Sequence, residues 1–160
     1  MPIRHAVPSD VDVLAAIEAA SYPPAEGASR ASIAGRLAVY PDCFWLLEEG
    51  GEVLAFVNGF VTDQPDLTDV MYEEPALHDP AGAWQMIFSV VTAPQHRRKG
   101  CASRVLRQVI ADAEAQGRKG LVLTCKERLL PFYAQFGFAD EGVSASEHGG
   151  VVWHQMRLTF

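Results

Sequence analysis

Short apolar runs and amphipathic segments alternate along the whole chain. The apolar runs predict strands, whereas apolar residues at helical spacing predict helices. The predicted strands are 2–6, 43–47, 53–61, 84–92, 121–124, 138–143 and 151–159. One predicted helix begins near Ser9, which resembles a capping box with Asp12 three residues later, and it stops before the Pro23-Pro24 break. The other predicted helices are 29–39, 101–116 and 127–136. This alternation, with hairpins toward both ends, implies an α/β (α+β) fold in which helices cover a mixed sheet.

Length and composition predict one domain, 1–160, because no repeat, low-complexity tract or linker-like stretch divides the 160 residues. The hydrophobic content of 49% with 21% charged residues argues against disorder. No apolar run approaches the roughly 20 residues of a membrane-spanning helix, and the N-terminus turns polar too soon for a secretory signal. Cys43, Cys101 and Cys125 form no paired framework. They indicate reduced thiols in a cytoplasmic protein. The lack of a long apolar run predicts that the protein has no membrane partner.

Charge is unevenly distributed along the chain. The formal net charge is −7, yet basic residues outnumber acidic ones in 94–119. The segment 63–79 carries Asp and Glu but no Lys or Arg. An acidic chain with one basic segment is not expected to bind nucleic acid, but that segment could hold a compact anion.

The segment that follows the predicted strand 84–92 combines three features of an anion site. Arg97, Arg98 and Lys99 supply positive charge, and Gly100 permits close approach of a ligand to the main chain. A helix then begins at Cys101, and the first N–H groups of a helix lack intrahelical acceptors. The P-loop and dinucleotide-binding patterns are both absent. On these residues alone, an ordinary solvated loop stays an open alternative.

Two motifs give the chain a resemblance to a known family. Arg97-Arg98-Lys99-Gly100-Cys101-Ala102 matches the [Q/R]-x-x-G-x-[G/A] pyrophosphate motif of the GNAT superfamily of N-acetyltransferases. Leu130-Pro131-Phe132-Tyr133-Ala134-Gln135-Phe136-Gly137-Phe138 resembles its Y-x-x-x-G-F signature. The chain is most similar to the arylalkylamine branch. The resemblance implies a mixed, mostly antiparallel sheet of six to seven strands, flanked by about four helices, with a splay between strands 4 and 5.

The resemblance also implies acetyl-CoA as cosubstrate and assigns roles to particular residues. Backbone groups of Val90, Val91 and Thr92 would bind the pantetheine arm. The pyrophosphate would be held by Arg97, Arg98, Lys99, Gly100, Cys101, Ala102 and Ser103. Tyr133 would be the general acid that protonates the departing CoA thiolate. Because a phenol has a pKa of about 10 and a thiol one of about 8.5, this transfer requires good placement.

The general base is not identified by the resemblance. A lysine-like amine has a pKa of about 10.4, so its deprotonation at pH 7 costs roughly 4–5 kcal/mol. In the arylalkylamine branch, histidines on the fourth strand serve as the base, but Met86 and Phe88 stand at the matching positions here. Glu26, after the first helix, is the first substitute candidate. The other candidates are His78, Asp79, His148 and His154.

Three functions remain open at this point. The first is direct acetyl transfer, through a ternary complex, to a primary amine of a small molecule, which the acidic 63–79 segment would attract. The second is acetylation of a protein lysine or N-terminus, and the third is a non-catalytic acyl-CoA-binding sensor. Direct transfer needs no protein nucleophile, which leaves Cys101 without a covalent role. No His, Cys or Asp spacing indicates a metal. Dimers are common in the superfamily, so a homodimer is also an open alternative.

Overall fold

A computed structural model describes residues 2–160 and contains five α-helices and nine strands within that range. The helices are α1 (Val11–Ser21), α2 (Arg30–Val39), α3 (Asp69–Glu73), α4 (Cys101–Ala115) and α5 (Leu130–Ala134). The strands are β1 (Ile3–His5), β2 (Phe44–Glu49), β3 (Glu52–Asn58), β4 (Val61–Thr62), β5 (Trp84–Ile87), β6 (Ser89–Thr92), β7 (Gly120–Cys125), β8 (Ala139–Val143) and β9 (His154–Thr159). Every helix and strand predicted from the sequence has a counterpart here.

The chain divides into two compact units, each built from two separate stretches. The first unit contains the residues up to Gly59 together with Ser89–Val109, and the second contains Phe60–Phe88 and Ile110–Phe160. The expectation of one domain stays a prediction.

The first unit is built on an antiparallel sheet with the strand order β1-β2-β3-β6. A tight turn joins β2 to β3, as the hairpin pattern predicts. Ser29 caps α2, because its hydroxyl accepts a hydrogen bond from the Ser32 amide at 3.1 Å. Phe44 and Phe56, both fully buried, stack 6.5 Å apart in the core of this unit.

An ion cluster fixes the start of α1 in place of the capping pair expected at Ser9 and Asp12. The Arg4 guanidinium donates to both carboxyl oxygens of Asp10 at 2.9 Å and to Glu48 at 3.1 Å. Asp10 also accepts a hydrogen bond from the Val7 amide at 2.8 Å. These bonds to Arg4 are the main reason that the pKa of Asp10 lies below its ordinary value. The capping expectation was wrong because Ser9 lies inside a 3₁₀ turn, Pro8–Asp10, and α1 begins at Val11 with Asp10 as its N-cap residue.

The second unit is built on a five-stranded sheet with the order β4-β5-β7-β9-β8. Its pairs are antiparallel except that of β5 with β7, which is parallel. The central strand β7 is nearly all buried, as its continuous apolar sequence predicts. The mixed, mostly antiparallel character of the fold is therefore confirmed.

The predicted strand 84–92 is two strands that separate at Phe88. The first half, β5, pairs with β7 as far as Ile87 opposite Leu123. The second half, β6, pairs with β3, beginning with Ser89 opposite Asn58. At the level of pairing, this change of partner corresponds to the predicted splay between strands 4 and 5. Because β5 and β6 pair with different strands, the nine strands form two sheets, whereas a single sheet of six to seven strands was predicted.

None of the helices formed by residues 2–160 combines the length and the apolar character that a membrane-crossing helix requires.

Candidate functional site

In the first unit, β6 is the last strand of its sheet. Val90, Val91 and Thr92 pair on one side with Val57, Phe56 and Ala55 of β3. On the other side, no strand within residues 2–160 is paired with β6. Backbone N–H and C=O groups need partners, so this edge can bind an extended ligand that supplies hydrogen bonds as a strand would.

The chain leaves β6 through a 3₁₀ turn, Pro94–His96, which Glu52 anchors to the start of β3. One Glu52 carboxylate oxygen lies 3.1 Å from His96 Nε2, and the other accepts a hydrogen bond from the side-chain Nε2 of Gln95 at 3.2 Å. The contact with His96 is the main reason that the pKa of Glu52 is lowered. The turn therefore gives the following loop a fixed starting point.

That loop passes through the left-handed backbone region twice. Arg98 has a φ of 65° and is the one non-glycine residue with positive φ within residues 2–160, and Gly100 has a φ of 75°. Left-handed geometry costs an L-residue about 1–2 kcal/mol. Such strain is typically retained where it serves a ligand. A Cβ at Gly100 would meet no atom within 4 Å. Glycine is therefore required here by the backbone angle, and the space beside it is open.

Helix α4 begins directly after this loop. The Arg104 amide donates a hydrogen bond to Gly100 O at 3.1 Å, which closes the first turn of the helix. The amides of Cys101, Ala102 and Ser103 precede it and have no acceptor within the helix. Val105, Leu106 and Val109 are fully buried and fix the helix in its unit, as the apolar stripe predicts. The helix dipole and these amides together favour an anion at this end.

The basic side chains of the loop are not equivalent. The Arg97 guanidinium donates to Ala20 O at the end of α1 at 3.0 Å. Arg98 and Lys99 are exposed at the loop surface. Positive charge near a helix C-terminus is favourable, so Arg97 has a structural partner besides any phosphate. The loop nevertheless keeps two exposed cations beside the α4 amides.

Glu26 lies in the turn between α1 and α2, also in the first unit. Its side chain is half-buried, and its amide donates to Pro23 O at 2.9 Å. The turn is held to α1 because Glu18 accepts a hydrogen bond from the Ala28 amide at 2.9 Å.

Tyr133 lies in the second unit, on α5. It is 8% exposed, and its ring makes edge contacts with Phe132 and Phe138, at 5.0 and 6.0 Å between centroids. Burial raises the pKa of this phenol, with smaller contributions from Cys125 and Tyr72. The phenol is therefore held in its protonated form, as a proton donor must be.

The second unit also contains a row of rings that the sequence did not reveal. Tyr72 of α3 contacts Phe88 at 4.9 Å and stacks on His148 at 4.9 Å with an interplanar angle of 11°. Phe88 in turn contacts Phe60 at 5.1 Å. The Tyr72 hydroxyl is hydrogen-bonded to the Thr124 hydroxyl at 2.9 Å. Tyr72 was missed because it lies in a segment notable only for its acidic charge, with no spacing that links it to β7.

The remaining base candidates are placed differently by the structure. His78 Nδ1 accepts a hydrogen bond from the Val61 amide at 3.0 Å, so its lone pair is already in use. His154 Nδ1 lies 3.2 Å from Asp140. Asp79 is exposed, and Met86 is fully buried in β5.

A cavity of about 460 Å³ lies in the second unit. Its apolar walls are Phe60, Val70, Met71 and Leu77, and its polar lining consists of Thr62, Asp63, Gln64, Thr68 and Asp79. Its size falls in the range of small-molecule sites, which are mostly apolar with a few polar groups. Both charged residues are acidic, so the cavity favours an organic cation over an anion. Within residues 2–160, no cluster of three or more His, Cys, Asp or Glu residues could hold a metal ion.

Comparison with known proteins extends these observations. The profile of the acetyltransferase (GNAT) family matches residues 12–138. Serotonin N-acetyltransferase from Mesocricetus auratus is 28% identical over 112 residues, which cover 69% of this chain and 53% of that protein. N-acetyltransferase 8B from Mus musculus is 31% identical over 110 residues, which cover 66% of this chain and 41% of that protein. The chain thus spans about half the length of these curated relatives or less.

Solved structures share the fold at lower identity. The GphF GNAT-like decarboxylase in complex with isobutyryl-CoA has a TM-score of 0.84 and 23% identity, and 99% of each chain is covered. The ribosomal-protein-S18-alanine N-acetyltransferase from Escherichia coli has a TM-score of 0.73 and 15% identity, covering 99% of this chain and 92% of that chain. These likenesses confirm the fold class. The match of the family profile over residues 12–138 shows that the chain belongs to the acetyltransferase (GNAT) family.

Proposed function

We propose that the protein is an acetyl-CoA-dependent N-acetyltransferase that transfers the acetyl group directly to a primary amine of a small molecule. The observation that carries the proposal is the main-chain cradle of the first unit. There, an unpaired strand edge on β6 leads through a left-handed loop into the start of α4. Such an arrangement suits a ligand that is an extended amide chain at one end and a diphosphate at the other.

Each part of acetyl-CoA has a matching group in this cradle. The amides of the pantetheine arm would pair with the open edge of β6 at Val90–Thr92, as an added strand does. The diphosphate would accept hydrogen bonds from the amides of Gly100–Ser103, with Arg98 and Lys99 supplying charge. Neutral main-chain donors at a helix start bind phosphate with little cost in side-chain ordering. Binding of this kind orients the thioester but does not by itself activate it.

Tyr133 is the proposed proton donor to the CoA thiolate. Its burial raises its pKa, which keeps the phenol protonated but widens the gap to an ordinary thiol. Transfer is favourable only if the thiolate forms in an equally desolvated place, where its own basicity rises as well. The proposed role of Tyr133 therefore requires that the thiolate and the phenol share one desolvated site.

A small cationic amine is the proposed acceptor. The second-unit cavity combines apolar walls with the carboxylates of Asp63 and Asp79 at a volume suited to such a molecule. Acidic residues around it would raise the local concentration of ammonium ions and so favour their capture. We further propose a cytoplasmic location, because the three buried cysteines are thiols and form no disulfide, as is usual in a reducing compartment.

The test is CoA release from acetyl-CoA with a panel of amines, followed by mass spectrometry of the products. Suitable probes are 2-phenylethylamine, n-butylamine, 1,4-diaminobutane, and peptides with a free lysine or a free N-terminal alanine. Acetylation of the small amines supports the proposal, whereas acetylation of peptides alone would replace it with a protein acetyltransferase. Binding of acetyl-CoA without turnover on any probe would favour the sensor.

The role of Tyr133 is tested by Tyr133→Phe. We expect kcat to fall by about 100- to 10,000-fold, as for loss of a general acid, while the Kd of acetyl-CoA stays nearly unchanged. Tyr40→Phe is the matched control, because Tyr40 is also a buried tyrosine but lies in the core of the first unit, stacked on Phe44. Equal effects of the two substitutions on kcat would refute the assignment.

A further inference from the structure

The cavity of the second unit has both of its carboxylates on one side, because one turn holds them. Asp63 and Asp79 line the cavity. Asp63 Oδ1 accepts a hydrogen bond from the Ala83 amide at 2.9 Å, and Asp79 Oδ1 accepts one from the Ala81 amide at 3.0 Å. Ala81 and Ala83 are two residues apart, so their amide nitrogens are separated by at most about 7 Å. The two carboxylates are therefore neighbours on the cavity wall.

The turn that holds these carboxylates is itself packed against β4. The Asp79 amide donates a hydrogen bond to Val61 O at 2.8 Å, and the Gly82 amide donates one to Asp79 O at 2.8 Å. A Cβ at Gly82 would meet the backbone carbonyl carbon of Thr62 at 2.5 Å, so the two backbones are in close contact. The carboxylates are thus presented by a backbone with a fixed position.

Neither carboxylate of the cavity is neutralised by a side chain of the protein. Within residues 2–160, no Lys, Arg or His forms an ion pair with Asp63 or Asp79. Asp66 of the same segment differs in this respect, because it is paired with Arg157 at 2.9 Å. Two neighbouring carboxylates without a cationic partner favour a bound cation between them.

The rest of the cavity wall is suited to an alkyl chain. Phe60 and Met71 are buried, whereas Val70 of α3 and Leu77 of the following 3₁₀ turn are 51% and 48% exposed. A methylene chain that lies against these side chains would remove apolar surface from water, which stabilises the complex. The cavity therefore fits a molecule with an ammonium group at one end and an apolar chain leading away from it.

An ammonium group held between two carboxylates is a poor nucleophile. Nearby negative charge favours the charged form and so raises the pKa of that amine. Attack on a thioester requires a neutral nitrogen, which an alkylamine already forms unfavourably at pH 7. An acceptor that binds through Asp63 and Asp79 must therefore react through a second amino group, at the other end of its chain.

We propose that the acceptor is a linear aliphatic diamine, and that Asp63 and Asp79 determine this specificity by binding the ammonium group that is not acetylated. The inference rests on the proposed function and adds the substrate class. The far nitrogen, once neutral, forms the C–N bond to the acetyl carbon as the C–S bond breaks. Of the two protons that this nitrogen loses, one goes to the thiolate and one to solvent. The sum is a diammonium ion plus acetyl-CoA giving a monoacetylated ammonium ion, CoA and one proton.

The test compares kcat/KM for 1,4-diaminobutane and for n-butylamine in the wild type and in the double variant Asp63→Asn with Asp79→Asn. Asparagine keeps the oxygen that accepts from the Ala81 or Ala83 amide, so the substitutions remove charge but preserve the turn. The ratio of diamine to monoamine is compared between the two proteins, because the intrinsic reactivity of each amine then cancels. We expect this ratio to fall about 3- to 30-fold in the double variant, as for the loss of two exposed ion pairs.

Glu73→Gln is the matched control, because Glu73 is an exposed acidic residue of α3 that does not line the cavity. It removes a negative charge from the same segment and should leave the ratio unchanged. An unchanged ratio in the double variant, or an equal fall in Glu73→Gln, would overturn the inference while leaving the acetyltransferase itself intact. No turnover by the wild type with any amine would instead refute the proposed function, and the inference with it.

Inhibition of the wild type gives a readout that needs no variant. N-acetyl-1,4-diaminobutane keeps one ammonium group, whereas N-butylacetamide has the same chain without it. The first should inhibit more strongly, by about 3- to 30-fold in the inhibition constant. Equal inhibition by the two amides would show that no site for the unreacted ammonium exists, and would also overturn the inference.

Discussion

Gly100 and Gly117 lie at opposite ends of α4 with nearly the same backbone geometry. Their φ angles are 75° and 78°, and a Cβ at either position would meet no atom within 4 Å. Alanine at either site therefore introduces the strain of a left-handed residue without a steric clash. We expect each substitution to cost about 1 kcal/mol of folding free energy. For a protein of this size, that lowers Tm by roughly 2–4 °C.

The two substitutions should differ in their effect on acetyl-CoA. At Gly100, relief of the strain would turn the amides at the start of α4 away from the diphosphate. Loss of one hydrogen bond to a charged group costs about 1.5–3 kcal/mol, which raises Kd roughly 10- to 100-fold. Gly117 ends the same helix, where the Gly117 amide donates to Glu114 O at 3.0 Å, and has no part in the proposed site.

Isothermal calorimetry of acetyl-CoA, with thermal unfolding of the same samples, measures both effects. Gly117→Ala should lower only Tm, whereas Gly100→Ala should lower Tm and also weaken the binding of acetyl-CoA. S-acetylpantetheine, which lacks the diphosphate, should bind both variants as it binds the wild type. Two results would show that the amides of α4 are not the diphosphate site. One is an equal loss of affinity for acetyl-CoA in the two variants, and the other is a normal affinity in Gly100→Ala.

Three further outcomes are expected. Arg98→Glu should weaken the binding of acetyl-CoA by at least about tenfold. The loss of affinity should be larger at low salt than at high salt, because salt screens the field of an exposed charge. Binding titrations at two ionic strengths measure this difference. The lowered pKa of Asp10 beside Arg4 contributes stability that is present above the ordinary carboxyl value of 3.8 and is lost as the pH falls through the lower pKa of the folded state. Asp10→Asn should therefore destabilise the protein at pH 7 and progressively less as the pH is lowered below 3.8, as urea unfolding over a series of pH values would record. Burial raises the pKa of Cys125 to about 11, so iodoacetamide should leave Cys125 unmodified at pH 8 until the protein unfolds, as peptide mass spectrometry would detect.

Elements fixed by local patterns could be predicted well from the sequence. The apolar stripe of α4 and the continuous apolar run of β7 were located to within a residue or two, because each depends only on neighbouring positions. The loop at Arg97–Gly100 was also identified, since charge, glycine and a helix start are adjacent in sequence. Its left-handed turn at Arg98 was not foreseen, because arginine carries no preference for that geometry.

The sequence failed where the outcome depended on distant partners. An unbroken apolar run such as 84–92 gives no sign that its halves pair with different strands, since β3 and β7 decide where each half ends. The stack of Tyr72 on His148 joins residues far apart in the chain, and neither belongs to a motif. From the sequence, Arg97 was predicted only to contact a phosphate, whereas in the structure its guanidinium donates a hydrogen bond to Ala20 O.

The shortness of β6 has a consequence for the behaviour of the protein without its cosubstrate. An exposed strand edge invites pairing with other chains and can seed sheet growth into aggregates. Four residues present only two outward-facing positions, because alternate residues point their hydrogen-bonding groups to opposite sides. Such a short template is too weak to recruit a foreign strand, although it suffices for a ligand that is anchored elsewhere as well. The chain can therefore keep a main-chain docking edge open in solution with little risk of self-association through it.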